Sequence, residues 1–232
     1  MISIVITTMN HLEDLLKPCV RSIVEHTNLE DKEVIISANG CTDGTREYVE
    51  SLGEPFRLVW SDEPLGFSGA NNAGIIAAKG DYIVLLNDDT VLLNNTWIDL
   101  LRAPFADSTV GITGPLKFSV DCRGTQRDAM AFWCVMIRKE VFDKIGLLDL
   151  IFNPFGFEDL DFCIRAVNAG YYLVQVPYDG SHRFKNGYIL SEITEHRFPI
   201  WHLGSRTTDH VVSDKKAQEN RNINIIYDRY GN

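Results

Sequence analysis

Positive charge is scarce in this chain of 232 residues: 22 Lys and Arg stand against 32 Asp and Glu, for a net charge of -10 and a pI near 5.0. That balance argues against a general nucleic-acid or anionic-membrane surface, while leaving room for a local basic pocket. Long apolar runs are also missing. The longest, such as 2–8 and 82–86, are far too short to span a bilayer, so no transmembrane segment is expected. The N-terminus lacks a basic region, an extended apolar core and a small-residue cleavage site, so no secretory signal is visible. The five cysteines (19, 41, 122, 134 and 163) contain no C-x-x-C pair, which speaks against a zinc frame and for reduced thiols in a cytoplasmic protein. No glycine follows the first apolar run. "TTMNHLED" stands where a dinucleotide site needs G-x-G-x-x-G, and no Gly-Lys-Ser/Thr P-loop occurs. An NAD enzyme and a P-loop NTPase are thereby disfavoured. A nucleotidyltransferase, which wants a glycine-rich basic stretch there, fares no better. Repeats, low-complexity segments and Pro/Gly/Ser linkers are absent, so one domain spanning 1–232 is expected.

What is present is an alternation of strand and helix patterns. "ISIVITT" (2–8), "EVIISAN" (33–39), "FRLVW" (56–60) and "DYIVLLN" (81–87) are β-rich and apolar throughout. Between them lie helical patterns. The first, with Leu12, Leu15, Leu16, Cys19, Val20 and Ile23 on one face, is interrupted at Pro18, where the main helix should start. "TREYVESL" is the second, with Thr42 or Asp43 as a candidate cap, and "GFSGANNAGIIAAKG" is a small-residue third. Continuously apolar strands separated by helices imply an α/β fold with a mostly parallel central sheet buried on both faces. Ligands of such sheets gather at the carboxyl ends of the strands. That edge would hold 7–10, 38–41 and 87–89.

In the second half, "VGITGPLKF" and "AMAFWCVMI" read as strands joined by polar "SVDCRGTQRD". A helix "RKEVFDKIG" and an amphipathic stripe of Leu160, Cys163, Ile164 and Val167 follow. "YYLVQVP" is a further strand, 179–200 a loop, and 213–230 a charged amphipathic helix.

Three patches could carry chemistry, and each has a plain structural alternative. "NDDT" (87–90) suits a hard cation, which binds carboxylates and substrate phosphates through oxygen, or simply a turn. "GFEDLDF" places Glu158 and Asp159 at a helix start, where acids suit the helix dipole or one of them serves as a base. Asp161 and Arg165 read as a surface pair. His202 in "IWHLGS" is a structural histidine or a metal ligand. "GFSGANNAG" fits close helix–sheet packing when taken alone.

Taken together, the order and spacing of these segments resemble the family 2 glycosyltransferases of GT-A fold, a Rossmann-like fold of nucleotide-diphospho-sugar transferases. "SIVITTMN" is similar to the family's opening strand. "SANGCTDGT" resembles its D-N/D-G-S-T-D-G-T turn, and "LGFSGANNAGIIAAKGDYIVLLNDDT" its approach to the D-x-D motif. "GFEDLDF" resembles the acceptor-side E-D motif, and "WHLGS" the C-terminal histidine motif. The resemblance divides the chain into a nucleotide-binding half (1–90), an acceptor-side half (91–212) and a C-terminal helix (213–232).

The resemblance implies roles. Thr7 and Asn10 would lie beside the nucleotide, with Thr7 and Asn39 near the base. Asn71 and Asn72 would line the nucleotide-sugar pocket, and Asp88 would meet the ribose or the metal. Asp89 and His202 would hold a divalent cation, Mn2+ or Mg2+. Asp159 would be the catalytic base of an inverting transfer, and Glu158 would help hold a sugar. Trp133 would stack on an acceptor sugar or serve as a core aromatic. The loop 179–200 would close over the donor. Three positions depart from the pattern. Ala38 replaces an acid of the base-reading turn, Cys41 its serine, and Asn87 the first acid of D-x-D. Asn39 would still accept the N3–H of uracil through its amide oxygen. A UDP-sugar is therefore the first donor, with dTDP and GDP behind it. The acceptor, whether glycan, lipid-linked saccharide or protein, is left open. A catalytically weak sugar-nucleotide or glycan-binding module is the competing expectation.

Overall fold

A computed structural model describes residues 1–177, 198–204 and 214–231, with the backbone of 184–185 and 188–189. The strands are β1 (Ile2–Thr8), β2 (Lys32–Asn39), β3 (Phe56–Ser61), β4 (Tyr82–Asn87), β5 (Thr90–Leu92), β6 (Val110–Gly114) and β7 (Lys117–Cys122). They continue as β8 (Thr125–Met130), β9 (Cys134–Arg138), β10 (Tyr172–Gln175), β11 (Phe184–Lys185), β12 (Tyr188–Ile189) and β13 (Ile200–His202). The helices are α1 (Lys17–His26), α2 (Thr45–Leu52), α3 (Gly66–Ala77), α4 (Trp97–Arg102), α5 (Lys139–Ile145), α6 (Glu158–Asn168) and α7 (Lys215–Tyr230).

Seven strands form the central sheet in the order β10-β6-β9-β4-β1-β2-β3. All its pairings are parallel except those of β9, which runs antiparallel to β4 and β6. Alternate residues of each central strand enter opposite cores, because successive side chains point to opposite faces. Ile4 and Ile6 of β1 join Leu16, Ile23, Val49 and Trp97 under α1, α2 and α4. Val5 between them joins Ile75, Phe142, Leu160 and Ile226 under α3, α5, α6 and α7. Burial on both faces is why these strands read as unbroken apolar runs. The small residues of α3 do serve close packing. A Cβ on Gly74 would stand 2.3 Å from Val5 Cγ1.

The first helix begins as foreseen, with a π-helical turn (Leu12–Leu16) before α1 and Pro18 in its first turn. Asp43 does not cap α2 as expected. Its carboxylate instead accepts from the Leu12 N–H (2.8 Å) and the Thr45 hydroxyl (2.6 Å), tying the first two βα loops together. The second half differs more. "VGITGPLKF" is two strands, broken at Pro115, which has no N–H for a ladder. The polar stretch expected between strands is instead the hairpin β7–β8, turning at Arg123-Gly124 with both φ positive. Its solvent-facing alternation made it look like a loop. "AMAFWCVMI" is likewise split, with Ala131–Trp133 linking β8 to β9. Val167, last of the α6 stripe, is exposed. The cysteines are all free and buried. Among the described residues, no helix is long and apolar enough to cross a membrane.

Candidate active site at the carboxyl edge of the sheet

Parallel pairing sets Thr7 opposite both Ser37 and Asn87, so the ends of β1, β2 and β4 form one edge. The chain leaves β4 into Asp88-Asp89 and is turned by the Thr90 hydroxyl, which donates to the Asn87 carbonyl (2.7 Å). The turn reading of "NDDT" is therefore correct, and so is the burial that a site requires. Immediately after it, β5 pairs antiparallel with β13, placing His202 opposite Thr90. The Leu203 N–H donates to the Asp89 carbonyl (2.9 Å). A short two-stranded ribbon thus brings together two residues far apart in the chain.

Asp89 Oδ1 and His202 Nε2 lie 3.2 Å apart. Both atoms are buried, and beyond each other neither has a hydrogen-bond partner among the described residues. The His202 ring is held by stacking on Trp133, centroids 4.7 Å apart and planes at 9°. Trp133 is buried in the core and supports the imidazole, so the packing alternative holds and the ring is not an open platform for an acceptor sugar. Asp88, beside Asp89, keeps Oδ2 buried and unpartnered. Burial pushes its carboxyl up to about 8, the Thr8 hydroxyl pulls it down, and the Asp89 charge raises it again. A buried carboxylate oxygen and imidazole nitrogen that have only each other suit a divalent cation taking one oxygen and one nitrogen. Among the described residues, no three His, Cys, Asp or Glu side chains converge as a complete metal site. The protein's share would be this pair, with further oxygens coming from a ligand.

The second acidic pair opens α6. Phe157, just before it, has φ 70°, so the chain turns sharply into the helix. Glu158 is buried with Oε2 unpartnered. Asp159 accepts from the Leu160 N–H (2.8 Å). Burial raises both carboxyls, and the charge of Asp159 raises Glu158 further. Backbone amides of Leu160, Asp159 and Phe132 draw Asp159 the other way. Phe132 adjoins Trp133 in sequence. The β8–β9 link therefore joins the two halves of the site, with Asp159 against Phe132 and His202 against Trp133.

The asparagines behave differently from expectation. Asn72 donates to the Leu148 carbonyl (2.8 Å) and accepts from the Leu148 N–H (3.0 Å). Its amide clamps α3 to 148, with one N–H and one acceptor site of the oxygen engaged there. Asn39 Oδ1 accepts from the Leu65 N–H (2.5 Å), so the oxygen assigned to a uracil N3–H is already engaged. Asn71 donates back along its own helix to the Phe67 carbonyl (3.0 Å). Asn10, at φ 60°, accepts from the Thr42 N–H (2.8 Å), locking the first loop against the second. Cys41 assists where the resembled family has serine. Its Sγ accepts from the Asn10 N–H (3.3 Å) and donates to the Thr8 carbonyl (3.5 Å). Thr7 ends β1 half-buried at the same edge. Asp161 is no surface residue. It is fully buried under α7, where Arg165, Arg229 and Tyr230 all donate to it at 2.7–2.9 Å. The expected lid, 179–200, falls mostly outside the described residues, as do His182, His196 and His210.

Sequence and fold comparisons point the same way. The family model for "Glycosyl transferase family 2" matches residues 3–157. An uncharacterized protein of Sinorhizobium fredii is 26% identical over 216 residues, covering 77% of this chain and 24% of that relative. The chain spans well under two thirds of the length of the curated relatives it matches. The mannosyltransferase from Pyrobaculum calidifontis, solved with GDP-Man and Mn2+, superposes with a TM-score of 0.64 at 18% identity, covering 76% of this chain and 54% of that one. GalNAc-T7, solved with UDP, GalNAc and Mn2+, gives 0.66 at 18% identity, covering 75% and 42%. The central sheet and flanking helices are those of GT-A enzymes.

Proposed function

Because this chain belongs to glycosyl transferase family 2, we propose that it moves a sugar from a nucleotide-diphosphate donor to an acceptor hydroxyl, inverting the anomeric carbon. One observation carries the reading. At the carboxyl edge of a parallel sheet, buried carboxylate oxygens of Asp88 and Glu158 stand without hydrogen-bond partners, and that of Asp89 faces only the His202 imidazole. Buried charge is costly unless paired, so such a cluster is retained for a ligand.

The chain's own residues divide the work. Asp89 and His202 would hold a divalent cation, Mn2+ or Mg2+, beside the donor diphosphate. When bound, that ion neutralises the charge developing on the departing nucleotide. Glu158 and Asp159 repel each other's ionisation, so at neutral pH the pair holds one proton. Burial and the Asp159 charge leave that proton on Glu158 and the negative charge on Asp159. Asp159 takes the hydroxyl proton as the acceptor oxygen bonds to the anomeric carbon and the carbon–diphosphate bond breaks. Glu158, protonated, donates a hydrogen bond to a sugar oxygen. The two solved neighbours were obtained with GDP-Man and with UDP, and Asn39 Oδ1 already accepts one hydrogen bond from the Leu65 N–H, so a base would use its second acceptor site or another group. UDP-sugars remain the first donors to test, with dTDP- and GDP-sugars beside them.

The test is release of nucleotide diphosphate from this donor panel with Mn2+, with and without a chelator. Turnover that the chelator abolishes supports the proposal. Nucleotide binding without turnover of any donor would replace it with a sugar-nucleotide-binding module.

A further inference from the structure

The family match ends at Phe157, one residue short of the acidic pair, and α7 lies more than fifty residues beyond it. Yet α7 makes the contacts that shape this pair's approach. Asn222 is fully buried in the middle of a charged helix, which demands an explanation. Its amide Nδ2 reaches three backbone carbonyls, of Phe152 (2.9 Å), Phe155 (2.9 Å) and Gly156 (2.8 Å). Gln218, one turn earlier on the same face, and the adjacent Arg221 extend the grip. Gln218 donates to the Asn153 carbonyl (3.1 Å), and Arg221 donates to the Ile151 carbonyl (2.9 Å) and to Asn222 Oδ1 (2.8 Å). In 151–156 every carbonyl but that of Pro154 is thus satisfied from α7.

That loop ends in the left-handed turn at Phe157, whose φ of 70° is uncommon for an aromatic residue and persists only when its surroundings hold it. The next two residues are Glu158 and Asp159. On their far side α7 holds α6 again, through Arg229 and Tyr230 on Asp161. The acidic pair therefore sits between two anchor points on one helix. The same loop reaches the donor side: the Phe67 N–H donates to the Pro154 carbonyl (2.7 Å), and Asn153 bonds Leu65 and Ser68 at the start of α3.

We infer that Asn222 is a positioning residue for Asp159, and that α7 is part of the catalytic unit; this rests on the reading of Asp159 as the base. Removing the amide takes away the two N–H donors shared among three buried or partly buried carbonyls and frees the turn that aims the carboxylate. A base displaced by about 1 Å can cost on the order of 10²-fold in rate.

The test uses the full chain carrying Asn222→Ala, and the milder Asn222→Ser, which keeps one donor. The control is Arg123→Ala. Arg123 lies over the Tyr227 ring and pairs with Asp228, so it docks α7 without touching the loop. In assays below every variant's melting temperature, Asn222→Ala should lower kcat by about 10²-fold and Asn222→Ser by less, with the Kd for UDP or GDP in Mn2+ unchanged. The acid limb of the kcat profile should also move, because the environment of Asp159 changes. Arg123→Ala should keep wild-type kcat and pH profile. Wild-type kcat in Asn222→Ala, or an equal loss in Arg123→Ala, would overturn the inference. If the wild-type chain turns over no donor, the base reading falls, and hydrogen exchange decides the clamp alone. Faster exchange of the 158–161 amides in Asn222→Ala, with α2 unchanged, supports it, and unchanged exchange at 158–161 overturns it.

Discussion

Asn72 and Asp88 are buried to a similar degree, 8% and 5% exposed. Asn72 has both ends of its amide paired with the Leu148 backbone, while Asp88 keeps a carboxylate oxygen with no hydrogen-bond partner. The contrast extends to their surroundings. Asn10, Asn39, Asn71 and Asn72 bond backbone groups and hold loops and helices against each other. Asp88 and Glu158 carry buried oxygens with no hydrogen-bond partner, and buried Asp89 Oδ1 and His202 Nε2 have only each other. A satisfied buried polar group is architecture, because its hydrogen bonds offset its desolvation. An unsatisfied one stands ready for a ligand.

Substitutions can break that contrast. The largest effect is expected for Asp159→Asn, which keeps the shape and removes the base. Its kcat should fall by about 10³-fold with nucleotide affinity intact, measured by donor turnover and calorimetry. Equal loss of both would place Asp159 in binding instead. Asp89→Ala should weaken Mn2+-dependent nucleotide binding by at least about 10²-fold, since even groups one shell removed from a metal can cost that much. Unchanged affinity would return Asp89 to the architectural class.

Asn72→Ala should act oppositely. Leaving the Leu148 N–H and carbonyl unpaired should cost about 2 kcal/mol in denaturant unfolding, with no change in nucleotide Kd for the folded protein. A weakened Kd at full stability would show that Asn72 touches ligand after all. The smallest effect concerns Glu158. Its folded carboxyl is raised above the unfolded value, so the folded state binds that proton more tightly. Stability is then greatest below the ordinary carboxylate range and declines as pH rises toward the folded value. Glu158→Gln, which cannot ionise, should melt slightly higher than wild type at pH 8, with the gap closing by about pH 4. A gap independent of pH would assign the difference to packing. Asp159 is raised by burial as well, so kcat should climb with pH through a limb above the usual Asp range.

Much of this was legible before any coordinates. Unbroken apolar runs at β1, β2 and β4 announced a sheet covered on both faces, while Asp89, His202 and Asp159, open between structural and chemical roles when read alone, were singled out by the family resemblance. The hairpin β7–β8 was hidden because one of its faces is solvated and its residues look like loop. Asp161 and Arg165 have the spacing of an ordinary helix-surface pair, and only the docking of α7 buries them. The backbone bonds of Asn39 and Asn72 were not legible in advance, for a common reason. An asparagine's type does not reveal whether its amide faces a ligand or a backbone. Asn222 gave one weak signal, a small polar residue on the otherwise apolar face that includes Ile226.

The sequence by itself determined the layered α/β architecture and the positions at which acids meet strand ends, because periodicity and strand order are local or nearly local properties. The partners of those acids were decided by tertiary structure alone. Pairing of β5 with β13 set His202 against Asp89, and packing of α7 across 151–161 set the frame of Glu158 and Asp159. Which buried groups are satisfied depends on contacts between segments more than a hundred or about seventy residues apart, and no local pattern encodes them.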